Sequence, residues 1–141
     1  MRILAIAVLL ASLAPLPAAA QKWVRIAAGE KTRTYIDLDS VKRDKLIRAD
    51  TLTVLVTPLP DNPVQSFVAT IDYDCANRSG RFALMIAYGP DRGELRRKEY
   101  TDPEDFRPPT AGSDAEKVYN FVCSATPDKG VPVADPWSDT P

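Results

Sequence analysis

Two cysteines are the residues in this chain whose type and spacing indicate definite chemistry. Cys75 and Cys123 are the only cysteines among the 141 residues. Because 47 residues separate them, they do not form a Cys-x-x-Cys motif. Redox-active cysteine pairs usually have that short spacing, so a structural role is the better interpretation. Disulfides persist in an oxidising compartment, and there each of the two thiols has only the other as a partner within the chain. We therefore predict a Cys75–Cys123 disulfide.

The first twenty residues predict such an export. Arg2 provides a positive charge, residues 3–14 are almost entirely apolar, and a run of three alanines ends at Ala20. This arrangement is typical of a signal peptide with a small-x-small cleavage site, and its apolar run is short for a membrane span. We predict cleavage between Ala20 and Gln21. Because no cysteine at that junction can accept lipid, we expect a periplasmic, extracellular or cell-surface protein without a lipid anchor.

Other reactive residue types offer little support for catalysis. The sequence contains no histidine, which excludes Ser-His and Cys-His nucleophile systems and the usual zinc ligand sets. Asp72 and Asp74 lie two residues apart on a predicted strand and therefore share a face, as a pair of catalytic carboxylates does. Nothing nearby in the sequence would separate their pKa values, so we interpret them as acids on the solvent face. We expect a non-enzymatic protein without metal or cofactor.

The charge balance argues against two classes of partner. The net charge is −1, which does not favour binding to nucleic acid or to an anionic membrane. Arg96, Arg97 and Lys98 form a short basic run, but Glu94 and Glu99 flank it. We interpret this run as a solvated sheet edge rather than a site for anionic polysaccharide or an acidic protein.

A hairpin over residues 67–88 is the clearest structural signal. Residues 67–75 alternate between two faces, which is typical of a half-buried strand. The predicted core face of this strand carries Phe67, Ala69, Ile71, Tyr73 and Cys75. The return strand, residues 81–88, is predicted to place Phe82, Leu84, Ile86 and Tyr88 on one face. Because Cys75 lies on the core face, the disulfide would attach the segment around Cys123 to that face.

That segment has the pattern of a short helix. Ser113 and Glu116 have the spacing of a capping box, in which each side chain accepts a hydrogen bond from the other residue's backbone N–H. The predicted helix spans residues 113–123, and an apolar stripe formed by Ala115, Val118, Phe121 and Val122 continues past its end to Ala125. So short a helix is unstable alone in water and needs the sheet.

Together these elements predict an α+β fold. We expect an antiparallel sheet of about five to six strands, with one C-terminal helix packed on it and tied by the disulfide. The further strands are predicted at residues 23–27, 34–37, 46–57 and 94–101. Residues 21–126 would form a single domain, and residues 127–141, rich in proline and polar residues, a flexible tail.

The order of these features resembles the surface-adhesin protein E family. The resemblance runs from Trp23 to Cys123 and includes Tyr35-Ile-Asp37, Ser40-Val41 and Tyr73-Asp74-Cys75. It implies a sheet with a C-terminal helix tied to it by a disulfide, and it implies bacterial adhesion through binding to host matrix or serum proteins. No motif in the chain allows individual binding residues to be assigned. The alternative function is that of a soluble periplasmic inhibitor or small-ligand-binding domain.

Overall fold

The structure, a computed structural model, describes residues 22–125 and 130–139. The predicted signal peptide, residues 1–20, and the cleavage site between Ala20 and Gln21 lie outside the described residues. Both stay predictions.

The described residues form one antiparallel sheet and one helix. The strands are β1 (Trp23–Ala28), β2 (Thr32–Asp37), β3 (Lys42–Arg43), β4 (Ile47–Leu55), β5 (Ser66–Asp74), β6 (Ser79–Tyr88), β7 (Glu94–Glu99) and β8 (Val131–Val133). The helix, α1, spans Asp114–Cys123, and a 3-10 turn spans Leu38–Ser40. The strand order is β7-β6-β5-β4-β2-β1-β8, and β3 pairs with β4 beside this path. The predicted α+β class is therefore confirmed.

The prediction of five to six strands is wrong, because the described residues form eight. The two residues of β3 belong to a charged run with the composition of an exposed turn. β8 contains Pro132, and proline usually argues against a strand. At the edge of a sheet, however, its missing N–H costs no bond of a central ladder.

Helix α1 covers one face of the sheet, which we call the helix face. Val118, Tyr119 and Val122 are its buried residues. They pack in a cluster with residues of four strands, namely Val24, Ile36, Ala49 and Tyr73. Tyr119 was absent from the predicted apolar stripe, whereas Ala115, which belonged to it, is exposed. The helix is thus rotated slightly from the orientation that the apolar residues predicted.

The start of α1 follows the predicted capping box in part. The Oγ of Ser113 accepts a hydrogen bond from the backbone N–H of Glu116 at 3.2 Å, as expected. The carboxylate of Glu116 accepts from the N–H of Gly112 at 2.8 Å instead of from that of Ser113. The N–H of Ser113 donates to the carbonyl of Thr110. Both side chains therefore contribute to the cap, which is displaced by one residue on the carboxylate side.

The Cys75–Cys123 disulfide is confirmed. It joins the turn after β5 to the last residue of α1, and the two Cα atoms are 5.5 Å apart. The Tyr119 hydroxyl donates to the carbonyl of Cys75 at 3.2 Å, next to the disulfide. At the same end of α1, Arg43 donates to the carbonyl of Val122. The helix is consequently held to the sheet by a covalent bond, hydrogen bonds and apolar contacts.

A β-bulge in β6 decides which side chains reach the helix face. Thr70 of β5 lies opposite Leu84, and Ile71 lies opposite Phe82, so Ala83 is the extra residue. Because cross-strand partners share a face, Phe82 lies on the helix face with Ile71, whereas Leu84 lies on the other face. The prediction that Phe82 shares a face with the later apolar residues of β6 is therefore wrong.

Residues 130–139 cover the opposite face, which we call the tail face. β8 pairs with β1, and Trp137 and Val133 pack against the second buried cluster of the protein. That cluster consists of Trp23, Tyr35, Leu52 and Val54. The prediction of a flexible tail is therefore wrong for residues 130–139, and the packed chain extends past residue 126. Residues 127–129 and 140–141 lie outside the described residues.

Removing the disulfide should lower stability markedly. The bridged cysteines are 48 residues apart, and closing a loop of that size in the unfolded chain is worth about 4 kcal/mol. For the variant Cys75→Ala/Cys123→Ala we expect a melting temperature lower by roughly 15 °C in circular dichroism. The wild-type protein under reducing conditions should melt at the same temperature as the variant. Equal melting temperatures with and without reductant would contradict this account.

Candidate functional site

The helix face has a groove beside α1 that the helix leaves uncovered. Its walls are α1 and residues 107–110, and its floor is formed by β4, β5 and β6. The volume is about 460 Å³. The lining is mainly apolar and includes Phe67, Ala69, Ile71, Phe82, Met85 and Val118. We call this cleft the helix-face groove.

The bulge and a proline segment produce the groove. The bulge in β6 places Phe82 on the helix face, where 42% of this residue is exposed and its ring lies 5.6 Å from that of Tyr100. Pro108 and Pro109 belong to the opposite wall, residues 107–110, which is held to β6 by the pairing of Arg107 with Gly80. Neither feature was predicted as part of a site, because alternation along β6 gives no signal for the bulge.

Charged residues lie at the borders of the helix-face groove. Asp114 accepts hydrogen bonds from the hydroxyls of Thr32 and Thr34, both at 3.3 Å, and pairs with Lys117 at 3.0 Å. This carboxylate is therefore engaged by its own surroundings. It fixes the first turn of α1 over β2, at one end of the groove.

The basic run on β7 divides between the two faces. Arg97 pairs with Glu94 at 2.8 Å, as expected of a solvated edge. Arg96 and Lys98 lie opposite Ala87 and Met85, and therefore belong to the helix face. No ion pair involves either of these two residues within the ranges that the structure describes. Lys98 instead lies over the ring of Tyr100, 4.5 Å from its centre.

Asp72 and Asp74 do not form a catalytic pair. Asp72 is 3% exposed, so the prediction of a solvent-facing acid is wrong for this residue. It accepts two hydrogen bonds from Arg48, at 2.6 and 2.9 Å, and further bonds from Arg81. Hydrogen bonding from Arg48, followed by that from Arg81, lowers the pKa of Asp72 below its usual value. Asp72 is thus a charged structural residue that joins β4, β5 and β6.

Asp74 has a different, local role at the end of β5. Its carboxylate accepts hydrogen bonds from the backbone N–H groups of Ala76 and Asn77 and from the Asn77 side chain. The side-chain bond from Asn77 is the main reason that the pKa of Asp74 is lowered. Both aspartates are therefore held ionised, whereas an acid–base pair requires one carboxyl with a raised pKa.

Tyr35 and Tyr73 are two further buried ionisable groups. Tyr35 is fully buried on the tail face, and Tyr73 is 4% exposed on the helix face, where the alternation predicted it. Burial raises the pKa of both phenols above the usual range, and a hydrogen bond to Asp139 adds to the effect at Tyr35. Both hydroxyls consequently stay protonated at neutral pH.

The described ranges contain no cluster of three or more metal-ligating side chains placed to hold an ion. Over the same ranges, no helix has the length and apolar character needed to cross a membrane.

Comparison with known proteins assigns the family. A family model described as Surface-adhesin protein E matches residues 23–124. The chain belongs to the surface-adhesin protein E family. Membership agrees with the resemblance of the sequence, and the family's name suggests an adhesin-like, surface or exported, non-enzymatic protein. Neither a curated protein nor a solved structure matches the chain significantly.

The family match includes the helix-face groove of this adhesin E protein but not the segment that covers its tail face. The match ends one residue after the disulfide-bonded Cys123 and includes the whole helix-face groove. Residues 130–139, which cover the tail face, lie beyond it. The groove thus lies within the matched residues, whereas the segment that covers the tail face lies outside them.

We expect Asp72→Asn to destabilise the protein and to reduce the pH dependence of its stability. Losing a buried charge partner costs about 3 kcal/mol, the low end of the usual range because Arg48 keeps 49% of its side chain exposed. Since the pKa of Asp72 is lower in the folded state, the wild type has this stabilisation above about pH 4 and loses it as the pH falls further. Urea unfolding between pH 2 and pH 7 should show the two proteins converging in acid. A constant difference over that range would contradict the assignment.

Proposed function

We propose that this protein is exported and acts as an adhesin, binding a host matrix or serum protein through the helix-face groove. Family membership supports adhesion, and it supports action by protein binding rather than by catalysis. The helix-face groove is the surface through which we propose that the partner protein is bound. Grooves with apolar linings commonly accept extended or helical segments of partner proteins.

The exposed side chain of Phe82 in the groove lining is the observation that carries this proposal. Phe82 lies on the part of the helix face that α1 leaves uncovered, is 42% exposed, and has its ring 5.6 Å from that of Tyr100. Aromatic side chains in such positions contribute a large share of binding energy at protein interfaces. Arg96 and Lys98 lie on the same face at the neighbouring edge. The geometry therefore favours a partner segment that combines apolar residues with acidic ones.

A small-ligand-binding domain of the periplasm is the second candidate function. The observation that favours it is the size of the groove, since about 460 Å³ falls within the range of small-molecule sites. The two functions differ in where the protein must be found. An adhesin has to be accessible on intact cells, whereas a periplasmic binder does not.

The groove predicts a specific pattern of binding loss. Phe82→Ser should weaken capture of a host protein by roughly thirtyfold, which corresponds to about 2 kcal/mol for an aromatic anchor. Arg96→Glu/Lys98→Glu should mainly slow association and reduce its dependence on salt. Surface plasmon resonance against those purified matrix and serum proteins that the wild type binds would measure both effects.

Leu59→Ser is the matched control, because Leu59 is 45% exposed, close to the exposure of Phe82, and lies outside the groove. Thermal unfolding should show that all variants stay folded. Equal weakening by Phe82→Ser and Leu59→Ser would remove the groove as the contact surface.

Export predicts a defined N-terminus. We expect intact-mass measurement of the protein from the native host to show a chain that begins at Gln21, without added lipid. Protease treatment of intact cells should degrade it if it is displayed at the surface. A chain that keeps residues 1–20 would contradict export, and a processed chain protected on intact cells would favour the periplasmic function over adhesion.

A further inference from the structure

Residues 130–139, which we call the tail segment, contact the sheet as a bound peptide does. The backbone of Val131–Val133 extends the sheet by pairing with β1. Gly130 approaches β1 so closely that a Cβ atom there would overlap the side chain of Val24. Addition of an extended segment to a sheet edge is a common mode of peptide recognition, in which the backbone provides affinity and side-chain pockets provide specificity.

Trp137 is the apolar anchor of the tail segment. Its ring packs edge-on against Trp23, with 6.3 Å between the centres, and its indole N–H donates to Ser66 at 3.1 Å. The Arg92 guanidinium lies over the Trp137 ring, 5.0 Å from the ring centre. Pro136, next to it, is fully buried. One tryptophan thus fills an apolar site and satisfies its polar atom there.

Two carboxylates give the tail segment its charge specificity. Asp139 accepts from Arg25 at 2.7 Å and from the Tyr35 hydroxyl at 3.0 Å. Asp135 pairs with Arg92 at 2.8 Å. Strand β1 and the loop between β6 and β7 therefore offer basic partners for acids that lie two residues after and two residues before Trp137.

Arg33 provides further hydrogen-bond donors next to Asp139, at the C-terminal end of the tail segment. Its guanidinium donates to the backbone carbonyl of Asp139. The Nε of the same side chain is buried and has no hydrogen-bond partner among the described residues. A guanidinium with such a spare donor suits a carboxylate, which can accept two parallel bonds.

We propose that the tail face is a second docking site, specific for an extended acidic peptide of a partner protein that carries a tryptophan, and that the tail segment occupies it as a built-in competitor. The tail segment lies beyond the family domain, and its described residues are held by non-covalent contacts alone. Four residues, 126–129, connect it to the domain. A short connection gives a tethered segment an effective concentration on the order of millimolar, so a partner must displace it. This site is on the opposite face from the helix-face groove and does not depend on its function.

Cutting the connection tests this inference on the whole, folded chain. A protease recognition site is placed at residues 126–129, the intact protein is purified and then cut. A fluorescein-labelled synthetic peptide with the sequence of residues 130–141 is added, and its anisotropy reports exchange with the native tail segment. We expect saturable binding to the cut protein, and binding at least tenfold weaker to the uncut protein.

Peptide variants give the specificity. Trp137→Ala and Asp139→Asn in the labelled peptide should each weaken binding at least tenfold, whereas Ala134→Ser, at an exposed position, should bind as the parent peptide does. In the uncut protein, Trp137→Ala should increase binding of the parent peptide by weakening its competitor. If all of these binding results are obtained, they support the tail face as a specific docking site.

Three results would overturn the inference. If near-UV circular dichroism is lost after the cut and added peptide does not restore it, the tail segment is an integral part of the fold. If the cut protein stays folded but binds no labelled peptide, or binds the Trp137→Ala peptide equally well, the tail face is not a specific site. If the protein forms a dimer with or without the cut, and its two chains exchange tail segments, the partner is a second copy and not a foreign peptide.

Discussion

The packing of one short helix on the sheet is the interaction on which the rest of this structure depends. Helix α1 has ten residues, too few to stay helical alone in water. Val118 and Val122 place it over four strands, and the disulfide at Cys123 fixes its end. Because α1 covers only part of the helix face, its position also determines where the groove lies. The packing of α1 therefore contributes both to the stability of the domain and to the shape of its candidate binding surface.

Patterns that are local in sequence predicted much of this fold. The alternation over residues 67–75, the Ser113 cap and the two cysteines each depend on near neighbours or on a forced pairing, and all three predictions agree with the structure. The features that failed depend on distant partners. Asp72 looks like a surface acid until Arg48 and Arg81, from two other strands, are placed beside it.

The same limit applies to the two candidate surfaces. The helix-face groove depends on one extra residue, Ala83, and alternation cannot reveal a bulge because the strand looks regular on either side of it. The tail segment has the composition of a flexible tail, and its packing becomes evident from contacts with distant residues such as Trp23 and Arg25. Composition predicts disorder when a segment has no surface to bind, and here the sheet supplies that surface.

The two ends of the sheet have a consequence for behaviour at high concentration. A row of unpaired backbone groups at a sheet edge can recruit identical molecules and start fibrils. Here one terminal strand, β7, is exposed along all six residues and carries five charged side chains, and the other, β8, is only three residues long and has a proline at its centre. Neither end is a good template for another copy. The protein can therefore reach a high local concentration without polymerising through its sheet.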